Sequence, residues 1–306
     1  MWLYALKRIV GAVPTLFVLA TLVFFLLRMM PGGPFDTDHA FPPEVKANIL
    51  RNYELDQPIG VQYFHFLRDA VRGDLHESFE YLGKPVTQII SSSLKPSLIL
   101  GLLSFLVALL LGIPIGCLAA LKRGSIWDQS AMFISISGLS LPTFLLASLL
   151  VLIFSVKLHW LPPALWENPQ SLILPVITLA LRPLSIIARL TRTSLIESLK
   201  SDYMRTALGK GLSETRALLT HALKNSLIPV ITITGPLAAN LVTGSFLAEI
   251  VFQLPGLGRH FVQAVLNRDY PLVMGVTLVY GVILILSNIG VDLLYQWADP
   301  RMRVAD

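Results

Sequence analysis

Six long apolar runs, separated by polar stretches, organise this chain. A helix that crosses a bilayer needs about 20 mostly apolar residues. Residues 9–30, 96–121, 129–156, 168–188, 225–248 and 271–291 meet that length. The second and third runs carry no charge, and the fourth is interrupted only by Arg182-Pro183. The fifth is uncharged up to Glu249, and the sixth reaches Asp292 and continues toward Trp297. The pattern predicts an all-α, polytopic membrane protein with six transmembrane helices. Lys7 and Arg8 precede the first run as they would precede a signal peptide. That run exceeds an h-region of about 7–15 residues and lacks a small-residue cleavage site, so a retained helix is expected. Pro114, Pro142, Pro175 and Pro236 fall inside runs, where membrane helices tolerate proline and kink.

Two polar segments remain. Residues 31–95 are punctuated by Pro31-Gly32-Gly33-Pro34 and Pro42-Pro43. Within them Tyr63, Phe66, Leu67, Ala70 and Val71 recur at helical spacing, predicting a helix over residues 59–71 in a small folded cap. Residues 189–224 are basic and helical in propensity. The expected division is a first helix at 1–30, an extracytoplasmic segment at 31–95, and a five-helix core at 96–306 containing the inner loop 189–224.

Composition fits a lipid-embedded chain. Hydrophobic residues make up 54% and charged residues 14%, against roughly 25% charged in a soluble domain. The net charge of +5 could point to nucleic acid, but the basic residues lie between apolar runs, which points to membrane orientation instead. Lys122, Arg123, Arg189, Arg192, Lys200, Arg205, Lys210, Arg216 and Lys224 fall on one side, with Lys7, Arg8, Arg301 and Arg303. The short loops opposite hold Lys157, Arg259 and Arg268. By the positive-inside rule both termini are cytoplasmic. Cys117, the only cysteine, lies in an apolar run, so no intrachain disulfide or thiolate cluster can form.

Enzymatic chemistry finds little support. Gly209-Lys210-Gly211 lacks the upstream glycine and the hydroxyl residue of a phosphate-binding loop. Gly256-Leu257-Gly258 does not complete a dinucleotide fingerprint, and the six histidines form no metal-ligand pair at helical spacing. Ionisable residues inside spans are costly and face cavities or partners. Arg28, Glu249 and Asp292 sit near span ends, where snorkelling or interfacial hydrogen bonding accounts for them. Arg182 is the deepest, with a structural or a substrate-facing role open. Pro255, Gly256 and Gly258 read as a tight turn, with Glu249 organising nearby backbone N–H groups. Gly235, Ala238, Ala239 and Gly244 allow close approach of a neighbouring helix, with lining of a pathway as the second reading.

The inner loop has its own punctuation. Ser194 and Glu197 have capping-box spacing, as if the fourth helix continued or restarted there. Asp202 is the expected N-cap of a short helix over Tyr203, Met204, Arg205, Thr206, Ala207 and Leu208, ended by Gly209 and Gly211. Ser213-Glu214 then opens a helix toward the fifth span.

The run from Asp202 through Gly211-Leu212, followed by His221-Ala222-Leu223-Lys224-Asn225-Ser226-Leu227-Ile228-Pro229, resembles the "EAA" loop of binding-protein-dependent ABC importer permeases, in its peptide and nickel branch. Arg205 and Thr206 replace the first two letters of that signature; Ala207 and Gly211 match. Further matches are Leu27-Arg28-Met29-Met30-Pro31-Gly32-Gly33-Pro34, Gly73-Asp74 before Ser78-Phe79, Glu249 through Gly258, Asn267-Arg268-Asp269-Tyr270-Pro271, and Asp299-Pro300-Arg301. Within that branch the chain looks most like the B-type permeases of oligopeptide importers, partly because of Phe41-Pro42-Pro43-Glu44-Val45 and the loop after it. Leu75-His76-Glu77 departs from the pattern, since relatives often have a Phe-Gly pair there.

The resemblance implies a type I ABC importer permease fold. It also implies half of a pathway in the bacterial inner membrane for peptides, oligopeptides before dipeptides or nickel. The implied partners are a homologous second permease, two ABC ATPases and an external peptide-binding protein. The ATPases would use ATP and magnesium, and this chain would bind no cofactor. Asp202 to Gly211 would be the coupling helix seated in one ATPase. A secondary transporter would show paired inverted repeats, which are not evident. A membrane-embedded enzyme would need titratable groups converging at one depth.

Overall fold

The structure is a computed structural model that describes residues 2–35, 43–242 and 246–298. Phe41-Pro42, Gly244 and Asp299-Pro300-Arg301 lie outside the described residues, as do the side chains of Lys7, Arg8 and Asp292. Among the described residues the chain is helical, with a single isolated bridge between Glu77 and Pro85.

The first span, α1 (Trp2–Met29), leads into the segment expected to lie outside, here called the outer segment, which holds α2 (Pro43–Asn52) and α3 (Ile59–Val71). The α3 bounds are those its apolar spacing predicts. Phe66 is buried, with Tyr63, Leu67 and Ala70 packed beside it. Val71 instead points outward, 89% exposed.

The second span, α4 (Val86–Leu121), begins ahead of its apolar run at residue 96. Its polar first turns are helical because Val86, Ile89 and Ile90 bury themselves in the outer core with Leu272, Val273 and Val276. Pro96 and Pro114 lie inside this unbroken helix.

The third run is not one straight span. It splits into α5 (Ile126–Ser140) and α6 (Thr143–Leu150), the latter continued by a π-helical turn at Val151–Lys157. The halves meet at 109° across Leu141-Pro142. Pro142 has no N–H to continue the helical ladder, and Leu141 before it is extended (ψ 126°), as a residue preceding proline prefers.

The fourth span, α7 (Ile173–Leu199), follows a 3-10 turn at Pro169–Leu172 and runs unbroken past its apolar stretch into the inner loop. Ser194 and Glu197 therefore lie within a continuous helix and cap nothing. α7 is the most enclosed span, packed by α4 and α5. Gly112 and Gly116 of α4 meet Leu184, Ile187, Ala188 and Thr191, and Gly138 of α5 meets Leu181 and Ser185. A methyl group at Gly116 would lie 2.7 Å from the Thr191 Cβ, so the interface depends on small residues.

The inner loop carries α8 (Asp202–Gly209), α9 (Glu214–Ala217), a π-helical turn at Leu218–Ala222, and α10 (Leu223–Ser226). The fifth span comprises α11 (Ile228–Val242) and α12 (Phe246–Val251). Gly235 packs against Asn288 and Val291, and Ala239 is buried. An amphipathic helix, α13 (Leu257–Leu266), then precedes the sixth span, α14 (Tyr270–Ala298). Among the described residues five helices are long and apolar enough to cross a membrane, and the bent α5–α6 pair, taken as one span, makes a sixth.

Candidate functional site

The short helix α8 is placed by few residues. Ser201, not Asp202, occupies its N-cap position, without a side-chain cap bond; Asp202 is its first residue. Met204 and Ala207, three positions apart, point inward, where they join Ala120 of α4, Leu195 and Leu199 of α7, Ala217 and Ala222. Asp202, Tyr203, Arg205, Thr206, Leu208 and Gly209 stay exposed. Gly209 is an ordinary helical residue. The stop is Gly211, at φ +87°, a conformation open to glycine. Its N–H donates to the Leu208 carbonyl (2.9 Å), and the Leu212 N–H donates to the Ala207 carbonyl (3.3 Å). Ser213 accepts from the Arg216 N–H and starts α9.

Tyr203 ties the knob to its surroundings. Burial pushes its phenol up, but contacts with Ser198, Ser201 and Asn225 outweigh that and bring its pKa below the ordinary tyrosine value. The result is a compact helix with an apolar underside and a polar, outward face, fixed at the end of α7.

Close by is an ion pair that charge counting missed. Arg192 of α7 donates from Nε and Nη2 to the Asp128 carboxylate at 2.5 and 2.8 Å. Asp128 also accepts the Gly124 N–H (2.9 Å) and is 4% exposed. The pair locks the start of α5 to α7. The available signal was an acidic residue in a helix's first turn, but nothing local names its partner.

The opposite end is knitted by buried carboxylates. Glu249, 1% exposed, accepts from Ser97 Oγ of α4 (2.8 Å) and from the Arg259 N–H (2.8 Å). Ser97 Oγ in turn accepts the Leu257 N–H at 2.8 Å. Glu249 and Ser97 thus satisfy donors at the start of α13 that have no helical partner. Pro255-Gly256 forms the approach to that helix. A side chain on Gly256 would collide with the Glu249 carboxylate, and one on Gly258 would lie 3.1 Å from it.

Asp269 does the same for α14. Its carboxylate accepts the Leu272 N–H (3.2 Å), the Ser78 hydroxyl in a short hydrogen bond, and the Glu80 N–H (3.3 Å). Arg268, at φ +57°, donates to the Gly33 carbonyl at 3.2 Å. Arg28 donates to Gln62 Oε1 from Nε and Nη2 (3.0 and 2.9 Å) and lies over the Phe24 ring. Three separated stretches, 27–34, 73–79 and 267–271, therefore converge at one junction. His76 lies there at φ +61°, a conformation that favours glycine. A cavity of about 470 Å³ opens beside the junction, lined in part by Arg28, Gln62, His76, Glu77 and Tyr270. Arg182 lies away from both ends, in the middle of α7 and exposed.

The fold is that of ABC importer permeases. The inward-facing MetNI methionine ABC transporter aligns at a TM-score of 0.58 over 71% of this chain and all of that chain, at 19% identity. An amino acid ABC transporter with histidines aligns at 0.56 over 69% of this chain and 94% of that one, at 15% identity. Residues 112–304 match the family model for the inner membrane component of binding-protein-dependent transport systems, and residues 1–92 match the model of its N-terminal region. The chain belongs to this family of multi-pass membrane permeases. It is 45% identical over 302 residues to the oligopeptide transport system permease protein OppB of Haemophilus influenzae, covering 98% of this chain and 99% of that protein. OppB of Escherichia coli is 43% identical over the same shares, and the dipeptide permease DppB of Bacillus subtilis is 40% identical over 98% of both.

Proposed function

We propose that this chain is a permease subunit of an ATP-driven peptide importer, forming half of the pathway beside a second, homologous permease. Full-length similarity to oligopeptide permeases, at 43–45% identity, favours oligopeptide cargo. The dipeptide permease at 40% keeps dipeptides as the second reading. An external binding protein delivers the peptide to the outer junction. Two separate ATPases hydrolyse ATP with magnesium, and this chain holds no cofactor. The excess of lysine and arginine around the inner loop supports cytoplasmic termini and a cytoplasmic α8.

One observation carries the coupling role: a short helix with a buried underside and an exposed polar face, set at the end of the most enclosed span. Asp202, Tyr203, Arg205, Thr206, Leu208 and Gly209 form the face that meets an ATPase. Met204, Ala207 and Gly211 hold its shape. Closure of the ATPases moves α8, and α7 and α11 follow. Arg28, Glu249, Pro255, Gly256 and Gly258 are structural members of the outer half.

The test is the reconstituted complex carrying Arg205→Glu or Gly211→Val. Both variants should insert normally, lose peptide uptake, and leave the ATPases uncoupled or dissociated. Arg205 is exposed, so loss in that variant is not a folding defect. Wild-type uptake by Arg205→Glu and Gly211→Val would remove α8 from the coupling role. The chain purified alone should hydrolyse no ATP.

A further inference from the structure

Two features in the membrane-embedded core cannot face hydrocarbon, and they adjoin. The first is Arg182. It lies seven residues before Arg189 on α7, roughly 10 Å deeper at 1.5 Å per residue. α7 is enclosed on its other faces, since Thr178, Leu179, Ala180, Pro183, Leu184 and Ser185 are all buried. Arg182 is exposed, and among the described residues no carboxylate or hydrogen-bond acceptor of this chain pairs with it. A guanidinium at this depth costs roughly 3 kcal/mol or more in lipid and is normally found facing a partner or water.

The second is the break between α5 and α6. Ser140, Leu141 and Pro142 are exposed; the Leu141 N–H donates to the Ser137 carbonyl, and the carbonyls after Ser137 in α5 have no helical donors following them. Non-helical backbone at membrane depth is stable only inside protein or against a water-filled cavity. The break abuts the same stretch of α7, because Gly138 packs on Leu181 and Ser185, which flank Arg182. An exposed cation and a helix end with unpaired carbonyls thus lie on neighbouring stretches of α7 and α5.

We infer that these two stretches form one face that lines the water-filled pathway and that Arg182 contacts the terminal carboxylate of the peptide cargo. This rests on the peptide-importer reading above. The guanidinium fork matches a carboxylate in two parallel hydrogen bonds. The free carbonyls of α5 lie at the negative end of its dipole and suit the N–H groups of an extended peptide. Every linear peptide with an unmodified end carries that carboxylate, so the contact is compatible with varied side chains. A single charged contact is also weak enough to release cargo when the cavity opens inward.

The experiment uses the whole complex in vesicles and peptides with neutral side chains, each as free acid and as C-terminal amide. Wild type should take up the free acid in preference. Arg182→Gln should lower free-acid uptake about tenfold, the scale of one charge-assisted hydrogen-bonded contact, and leave amide uptake little changed. Arg182→Lys should retain part of the preference. Equal loss for acid and amide, or no loss, overturns the carboxylate assignment. In a Cys117→Ser background, the thiol of R182C should react with a membrane-impermeant thiol reagent. An unreactive thiol places the face against protein or lipid and overturns the pathway assignment. If wild type takes up neither peptide form while the R182C thiol reacts, the peptide-importer reading fails, and the water-lined face stands.

Discussion

The two ends of this molecule are held by different physics. At the outer junction, buried carboxylates of Glu249 and Asp269 satisfy helix starts and bind segments up to 191 positions apart. At the inner knob, α8 rests on two apolar side chains, Met204 and Ala207, and presents nearly everything else to its surroundings. The outer end is internally satisfied, and a deletion there leaves stranded buried donors. The inner end is unfinished by itself and suits a surface completed by another protein. Removing a group should therefore damage folding at the outer end and function at the inner one.

The largest effect is expected at the outer carboxylates. Glu249→Ala strands the Arg259 N–H and removes the acceptor of Ser97; with about 1–3 kcal/mol per unsatisfied buried group, we expect roughly 3 kcal/mol of destabilisation. Thermal unfolding of the detergent-solubilised chain reads this directly, and Asp269→Ala should behave alike. A change below 1 kcal/mol in both would erase the contrast between the ends. Next comes Gly256→Ala, whose methyl group collides with the Glu249 carboxylate and should cost about 2 kcal/mol, the scale of overpacking.

Smaller still are the exposed positions of α8. Thr206→Ala and Arg205→Ala should shift stability by about 0.5 kcal/mol or less while reducing peptide-stimulated ATP hydrolysis in the complex. The smallest effect is one of pH. Burial, then the Arg259 charge, holds the His260 imidazole below its ordinary value. The unfolded chain therefore binds the proton more readily, and stability is lost as pH falls through the imidazole range. Hydrogen exchange in α13, taken relative to the intrinsic amide rate at each pH, should show less protection on acidification from pH 7, and His260→Gln should flatten that response.

Much of the fold was legible because lipid imposes a length rule that apolar runs cannot hide. The approximate position of each span along the chain needed nothing else. The early start of α4 was not legible, since Thr87, Gln88 and Ser91 read as loop; those turns are helical because Val86 and Ile90 pack under the outer segment. The 109° break at Pro142 was invisible to hydropathy, which measures composition and not direction. Proline itself was an ambiguous guide. Pro96, Pro114, Pro183 and Pro236 sit inside continuous helices, where flanking helices support the freed carbonyls.

The knob was legible at its C-terminal end, because a glycine stop is a backbone requirement written in one residue. Its N-terminal end was misread, since aspartate suits both the cap and the first turn. The junctions Ser78–Asp269 and Arg192–Asp128 connect residues with no local pattern in common. The stretches of Ser78 and Asp269 could be matched to relatives one by one, but only the fold shows that either pair meets.

The unbroken length of α7 sets a mechanical ratio. Its 27 residues make a rod roughly 40 Å long at 1.5 Å per residue, joined to α8 through Lys200 and Ser201 alone. If the outer end is the fulcrum, a push of about 3 Å on the knob tilts the rod by only about 4°. Arg182, about two-thirds of the way from the knob, would move by roughly a third of the push, or about 1 Å. A guanidinium displaced that far from a carboxylate no longer makes both of its hydrogen bonds, so a small stroke at one surface is enough to loosen the grip near mid-membrane.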